Sequence, residues 1–209
     1  MLLAAKSSGG WHGDQATEVL PSAGLLLDGA LTGAFSVQRQ GWFRRTVTVH
    51  PGDMNPALAP DQAVRDLARR VHEATLGTVW TWLERAAVFA PDLVCRELET
   101  AGVAHRCTPR DWRARLVNDF GMDIDDTQAH RHALQRVLDA VEGRGNQSDV
   151  ALTLLLDAQN VLPHVVPAVS RRRARRQLLA RVHELPTPAR EVVDMMQSWR
   201  HRREMEGGD

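Results

Sequence analysis

Four groups of residues in this 209-residue chain have the types and spacing for chemistry or recognition. The first is Arg171, Arg172, Arg173, Arg175 and Arg176, with Arg181 a turn and a half further on. Each guanidinium offers a planar fork of donors that suits phosphates and carboxylates, so such an array can dock either. The second is Gly121-Met122-Asp123-Ile124-Asp125-Asp126 followed by His130 and His132. On a helix beginning near Asp125, Asp126 and His130 stand one turn apart, as a carboxylate orienting a metal-binding or basic imidazole would. The competing reading is dipole complementation, because acids gather in first helical turns for that reason alone.

The third group is Cys95, His105 and Cys107, which has no Cys-x-x-Cys spacing and lacks a fourth zinc ligand. Cys95 lies between Leu93-Val94 and Leu98 and reads as an inert core thiol. The fourth is tryptophan, six in a chain without tyrosine. Trp80 and Trp82 are two residues apart on one helix and cannot face the same core. The stripe through Val79 and Leu83 puts Trp82 at its edge and Trp80 on the far flank, where it can anchor an interface. Trp42 falls on the polar face of a strand, and Trp112 near a helix start.

Phosphate-loop, nucleophile-elbow, zinc-protease and dinucleotide patterns are all missing, so no catalytic residue, cofactor or metal is assigned. The one lysine, Lys6, is close to the N-terminus, which leaves little room for lysine catalysis. The remaining basic residues are 25 arginines, and isoleucine occurs once. That bias is what GC-rich coding produces, so arginine density by itself is a weak functional signal. Distribution is more informative. Residues 111–159 carry nine acids and five Arg, net −4, whereas 160–209 carry ten Arg and six acids, net +4. The whole chain is neutral, with a pI near 7.1, unlike a dedicated nucleic-acid binder, and no aromatic interleaves with the arginines to stack bases.

The elements that must position these groups change character along the chain. Residues 1–58 hold more than half of the fifteen glycines and read as an N-terminal β-meander. One strand is expected at 23–27. A second pairing is expected between 34–38 and 43–50, with Val47 and Val49 inward and Thr46, Thr48 and His50 outward. Residues 59–205 read as a helical bundle domain of six or seven helices. The expected helices are roughly 61–89, 91–101, one opening at Thr108-Pro109, one from Asp125-Asp126 to Gly143, and one capped by Asn146. An Arg-rich helix at 169–185 follows Pro163 and Pro167. A last helix starts at Pro186-Thr187-Pro188, with Val192, Val193, Met196 and Trp199 inward.

No run reaches the ~18 apolar residues of a membrane span. Two cysteines cannot form a disulfide scaffold, and a cytoplasmic protein with reduced thiols is expected. The fold class is therefore mostly α, a compact bundle with a small N-terminal antiparallel β-meander. The leading functional reading is a protein-interaction module (adaptor, assembly partner or regulator) using the Arg-rich C-terminal helices and Trp80. The alternatives are nucleic-acid binding through Arg171–Arg176 and a metal-dependent enzyme centred on Asp126 and His130. A homo-oligomer is compatible with all three.

Overall fold

The computed structural model describes residues 5–6, 10–11, 19–40, 46–51, 62–73, 79–107 and 121–206. Two short strands, β1 (Ala5–Lys6) and β2 (Gly10–Trp11), pair with each other. The first helix, α1, spans Leu20–Thr32 and replaces the strand expected at 23–27. Pro21 supplies a preset helical φ in its first turn, and Gly33 ends it at φ 77°. Leu25, Leu26, Leu27, Ala23 and Ala30 are all buried, so the helix is apolar nearly all round. Such a run shows no 3.6-residue period, and its sequence looks the same as a buried strand.

Strands β3 (Phe35–Gln40) and β4 (Thr46–Pro51) form the expected antiparallel pair, with Val37 opposite Val49. Phe35, Val37 and Val49 are buried, while Thr48 and His50 are half-exposed on the other face. Thr48 Oγ1 and His50 Nε2 are hydrogen-bonded at 2.8 Å. The described strands form three separate two-stranded ribbons and no continuous meander.

The stripe expected as one helix at 61–89 is found as α2 (Gln62–Glu73) and α3 (Val79–Ala87); residues 74–78 are not among those described. Helix α4 (Ala90–Thr100) has Pro91 in its first turn and is followed by Gly102 at φ 66°. Strands β5 (Ala104–Cys107) and β6 (Gly121–Ile124) pair antiparallel, and the start expected at Thr108-Pro109 falls outside the described residues. Then come α5 (Thr127–Val141), α6 (Gln147–Ala158), a four-residue α7 (Leu162–Val165) and α8 (Arg171–Arg181). A 3-10 turn at Val182–Glu184 leads into α9 (Thr187–Glu206).

Helix α6 runs through the middle of the bundle and packs against α1, α5, α8 and α9. Its Val150, Ala151, Leu154 and Leu155 join Leu26, Leu67, Leu83, Leu178 and Met196 in one core. Strand β3 closes one side, where the Phe35 ring meets Trp82 edge to face at 6.2 Å. Trp82, expected at the stripe's edge, is thus buried in the core.

Gly29 is where α1 lets Phe35 approach, for a Cβ built there would lie 1.9 Å from the ring. The ring is itself buried against Trp82 and has no room to retreat. Gly29→Ala is expected to destabilise the fold by about 1–3 kcal/mol through overpacking. Gly24→Ala, five residues earlier on the same helix, meets nothing within 4 Å. It is expected to stabilise by about 0.5–1 kcal/mol, the difference in helix propensity. Urea unfolding of the two variants checks the opposite signs.

Candidate functional site

The arginine-rich helix α8 is held by a narrow apolar seam. Ala174 and Leu178 are buried, and Leu185 seats the turn that follows it. Those positions fix which arginines face inward. Arg171 Nε donates to Asp157 Oδ1 at 3.2 Å, and Arg175 Nε lies 3.8 Å from Oδ2 of the same carboxylate. Asp157 is only 2% exposed, at the C-terminal end of α6. Two of the five arginines singled out in the sequence are therefore engaged in neutralising a buried acid.

At the other end of α8, Arg181 donates from Nε and Nη2 to the Glu184 carboxylate, the shortest contact being 2.7 Å. Its Nη2 also donates to Gly145 O at 2.8 Å, tying the helix to the turn before α6. The guanidinium holds the Glu184 carboxyl below its usual range, and hydrogen bonding to Glu184 raises the Arg181 pKa in return. A second surface pair, Arg144 with Asp139, likewise lowers the Asp139 carboxyl.

Arg172, Arg173 and Arg176 are left on the outer face, exposed and without an ion pair among the described residues. Leu179 is exposed beside them, at 42%. The outcome is a helix face with three uncompensated guanidinium groups and one apolar side chain. It can form bidentate contacts to carboxylates or phosphates with little desolvation cost.

The other sequence-derived residues are placed differently. Asp126 is the N-cap of α5, its Oδ1 accepting from the Gln128 and Ala129 amides at 2.8 and 2.9 Å. His130 is half-buried one turn on, and His132 is exposed. No group of three metal-ligating side chains exists among the described residues. The role the structure gives Asp126 is that of a helix cap. Cys95 is fully buried. The side chains of Trp80, Trp42, Trp112 and Trp199 lie outside what the structure describes.

One pairing escaped the sequence reading. His105 Nδ1 sits 2.8 and 2.9 Å from the two oxygens of Asp125. The β5–β6 register sets His105 opposite Asp123, which brings Asp125, two residues on, within reach. The amides of Asp125 and Asp126 both donate to Val103 O at 3.0 Å, so the base of this ribbon is tied to the start of α5. A separation of 20 residues left no local signal to find.

These features define a class: a mostly helical protein with short antiparallel ribbons, one of whose helices carries an exposed basic face. A family model for Golgi phosphoprotein 3 (GPP34) matches residues 1–197, and the chain belongs to that family. GPP34 proteins are Golgi-associated helical proteins of adaptor type. No curated protein matches the chain. No helix among the described residues is long and apolar enough to cross a membrane.

Removing Arg171 takes a direct guanidinium hydrogen bond from the buried Asp157. Arg171→Ala is expected to cost about 1–3 kcal/mol, the range for stranding a buried polar group. Arg172→Ala, Arg173→Ala and Arg176→Ala should each stay within about 0.5 kcal/mol of the parent. Chemical denaturation midpoints separate the two classes.

The depressed carboxyls set a pH dependence. Glu184 and Asp139 bind protons less readily folded than unfolded, against ordinary values of 4.5 and 3.8. Their contribution is present above those values and is lost as pH falls through the lower folded ones. Stability should therefore decline between about pH 5 and 3, and Glu184→Gln should shallow that decline. A parallel slope in parent and variant contradicts the assignment.

Proposed function

We propose that this chain is an adaptor that docks an acidic protein surface on the outer face of α8, through Arg172, Arg173, Arg175 and Arg176. Membership of the GPP34 family supports the adaptor role and a Golgi-associated setting at the cytoplasmic face of the membrane. The observation that carries the site is that Arg172, Arg173 and Arg176 have no counter-charge among the described residues. Arg175 sits at the edge of the patch, partly drawn to Asp157. Leu179 adds an exposed apolar contact beside the charged side chains. An α-helix with that face suits a carboxylate-bearing partner, whose charges also accelerate encounter.

In this reading α1 belongs to the adaptor's helical body together with α2–α9, since it packs into the same core. The test places a photo-crosslinking side chain at position 179 and compares the parent with Arg172/Arg173/Arg176→Ala. Crosslinks to a net-acidic protein segment are expected in the parent and should be lost in the triple variant. The variant's thermal transition should stay where it was, because none of the three makes an ion pair among the described residues. Crosslinks to nucleic acid, or equal protein crosslinking by both chains, would overturn the docking site.

A further inference from the structure

The outer face of α8 is not uniform along its length. Arg172, Arg176 and Leu179 fall at positions i, i+4 and i+7, so they line up in one stripe along the helix axis. Arg173 and Arg175 flank the stripe in its N-terminal half, and the exposed Ala180 joins Leu179 in the C-terminal half. The face is therefore basic at one end and apolar at the other.

Its boundaries are set by groups already engaged inside the molecule. On one flank Arg171 and Arg175 turn toward the buried Asp157. Beyond Ala180, Arg181 is committed to Glu184 and to Gly145 O. What remains is one side of an 11-residue helix, about 16 Å long and about 10 Å wide. That is well under the ~800 Å² each partner contributes to a stable interface between two folded surfaces. It matches a short segment of chain, since about 16 Å is about three turns of helix or about five residues of strand.

Charge and exposure select the segment. Arg172, Arg173 and Arg176 have no counter-charge among the described residues, so carboxylates supply what the basic end lacks. Leu179 is 42% exposed, and an apolar side chain next to those carboxylates would cover it. A phosphate polymer would satisfy the arginines and leave Leu179 in water.

We propose, resting on the docking role assigned to this face above, that α8 recognises a short acidic segment of its partner that carries one bulky apolar side chain beside its carboxylates. The probe is a displayed library of random peptides, selected on the full chain and counter-selected on Arg172/Arg173/Arg176→Ala. Enriched peptides are expected to hold clustered Asp or Glu next to a Leu, Ile, Phe or Trp. The strongest of them, measured by fluorescence anisotropy, should weaken about tenfold or more on the triple variant. Leu179→Ser should weaken it about fivefold, and so should Ser in place of the peptide's apolar residue. The two changes together should cost no more than either alone, because both remove the same contact. The change in the peptide needs no variant of the chain and decides the matter if Leu179→Ser folds poorly.

Equal binding of the acidic peptide with and without its apolar residue overturns the proposal. So does the absence of any peptide that prefers the parent chain. In that case crosslinks from position 179 that still vanish in the triple variant leave the docking role standing, with a folded acidic surface as the partner. Peptides that bind parent and triple variant alike remove both readings.

Discussion

Helix α6 is buried on nearly every side, yet it carries Asp149 in its first turn and Asp157 in its last. Neither carboxylate can reach bulk water, so the rest of the bundle has to neutralise both. Asp149 accepts from Arg136 of α5 at 2.6 Å and from the Asn146 amide at 3.0 Å. Asn146 returns a bond to the Asp149 amide, closing a reciprocal cap. Asp157 draws in Arg171 and Arg175 from α8. The two acids thus set where α5 and α8 sit against the central helix. Arg181, reaching Gly145 O from the far end of α8, fixes the same helix at the turn that starts α6.

That constraint is what gives α8 its outer face. With Ala174 and Leu178 in the seam and Arg171 beside Asp157, helical geometry turns Arg172, Arg173 and Arg176 away from the core. The number of arginines in the chain says little, since arginine is almost its only basic residue. Their position relative to carboxylates says more. A guanidinium that meets an acid inside the molecule is part of the fold, and one that does not is available to another molecule. The Arg-rich helix contains both kinds, side by side in the sequence.

Most of the helical architecture was legible because its punctuation is local. Asn146, Asp126, Pro91 and Gly143 act through hydrogen bonds and backbone preferences of their nearest neighbours, and each does so where the sequence places it. The outward turn of Arg172, Arg173 and Arg176 was readable from the spacing of Ala174 and Leu178 in the same way. The failures come from information that is not local. Helix α1 is buried on most of its circumference, Asp28 being exposed, so the period that separates helix from strand was blurred. The inward role of Arg171 depends on Asp157, fourteen residues away on another helix. Asp126 had two readings, a carboxylate orienting His130 and an acid complementing the helix dipole, that place the same residue at the same helix end. The contacts of its side chain with the Gln128 and Ala129 amides come only from the structure.

The two glycines of α1 carry this argument one step further. Gly29 and Gly24 are alike in sequence, each a helix-weakening residue in an apolar run. Their surroundings are opposite. At Gly29 the missing side chain is replaced by Phe35, whose ring fills the space and joins α1 to β3 and, through Trp82, to α3. At Gly24 nothing fills it, and the opening continues into a groove whose walls come from α1, α4, α5 and α6. A bundle free to relax would close such a space by sliding α1 toward α6. Here α1 is not free, because the Phe35 ring packed under Gly29 fixes its distance from β3. The ring contact thus secures the helix near Gly29, while the space beside Gly24 stays open one and a half turns away.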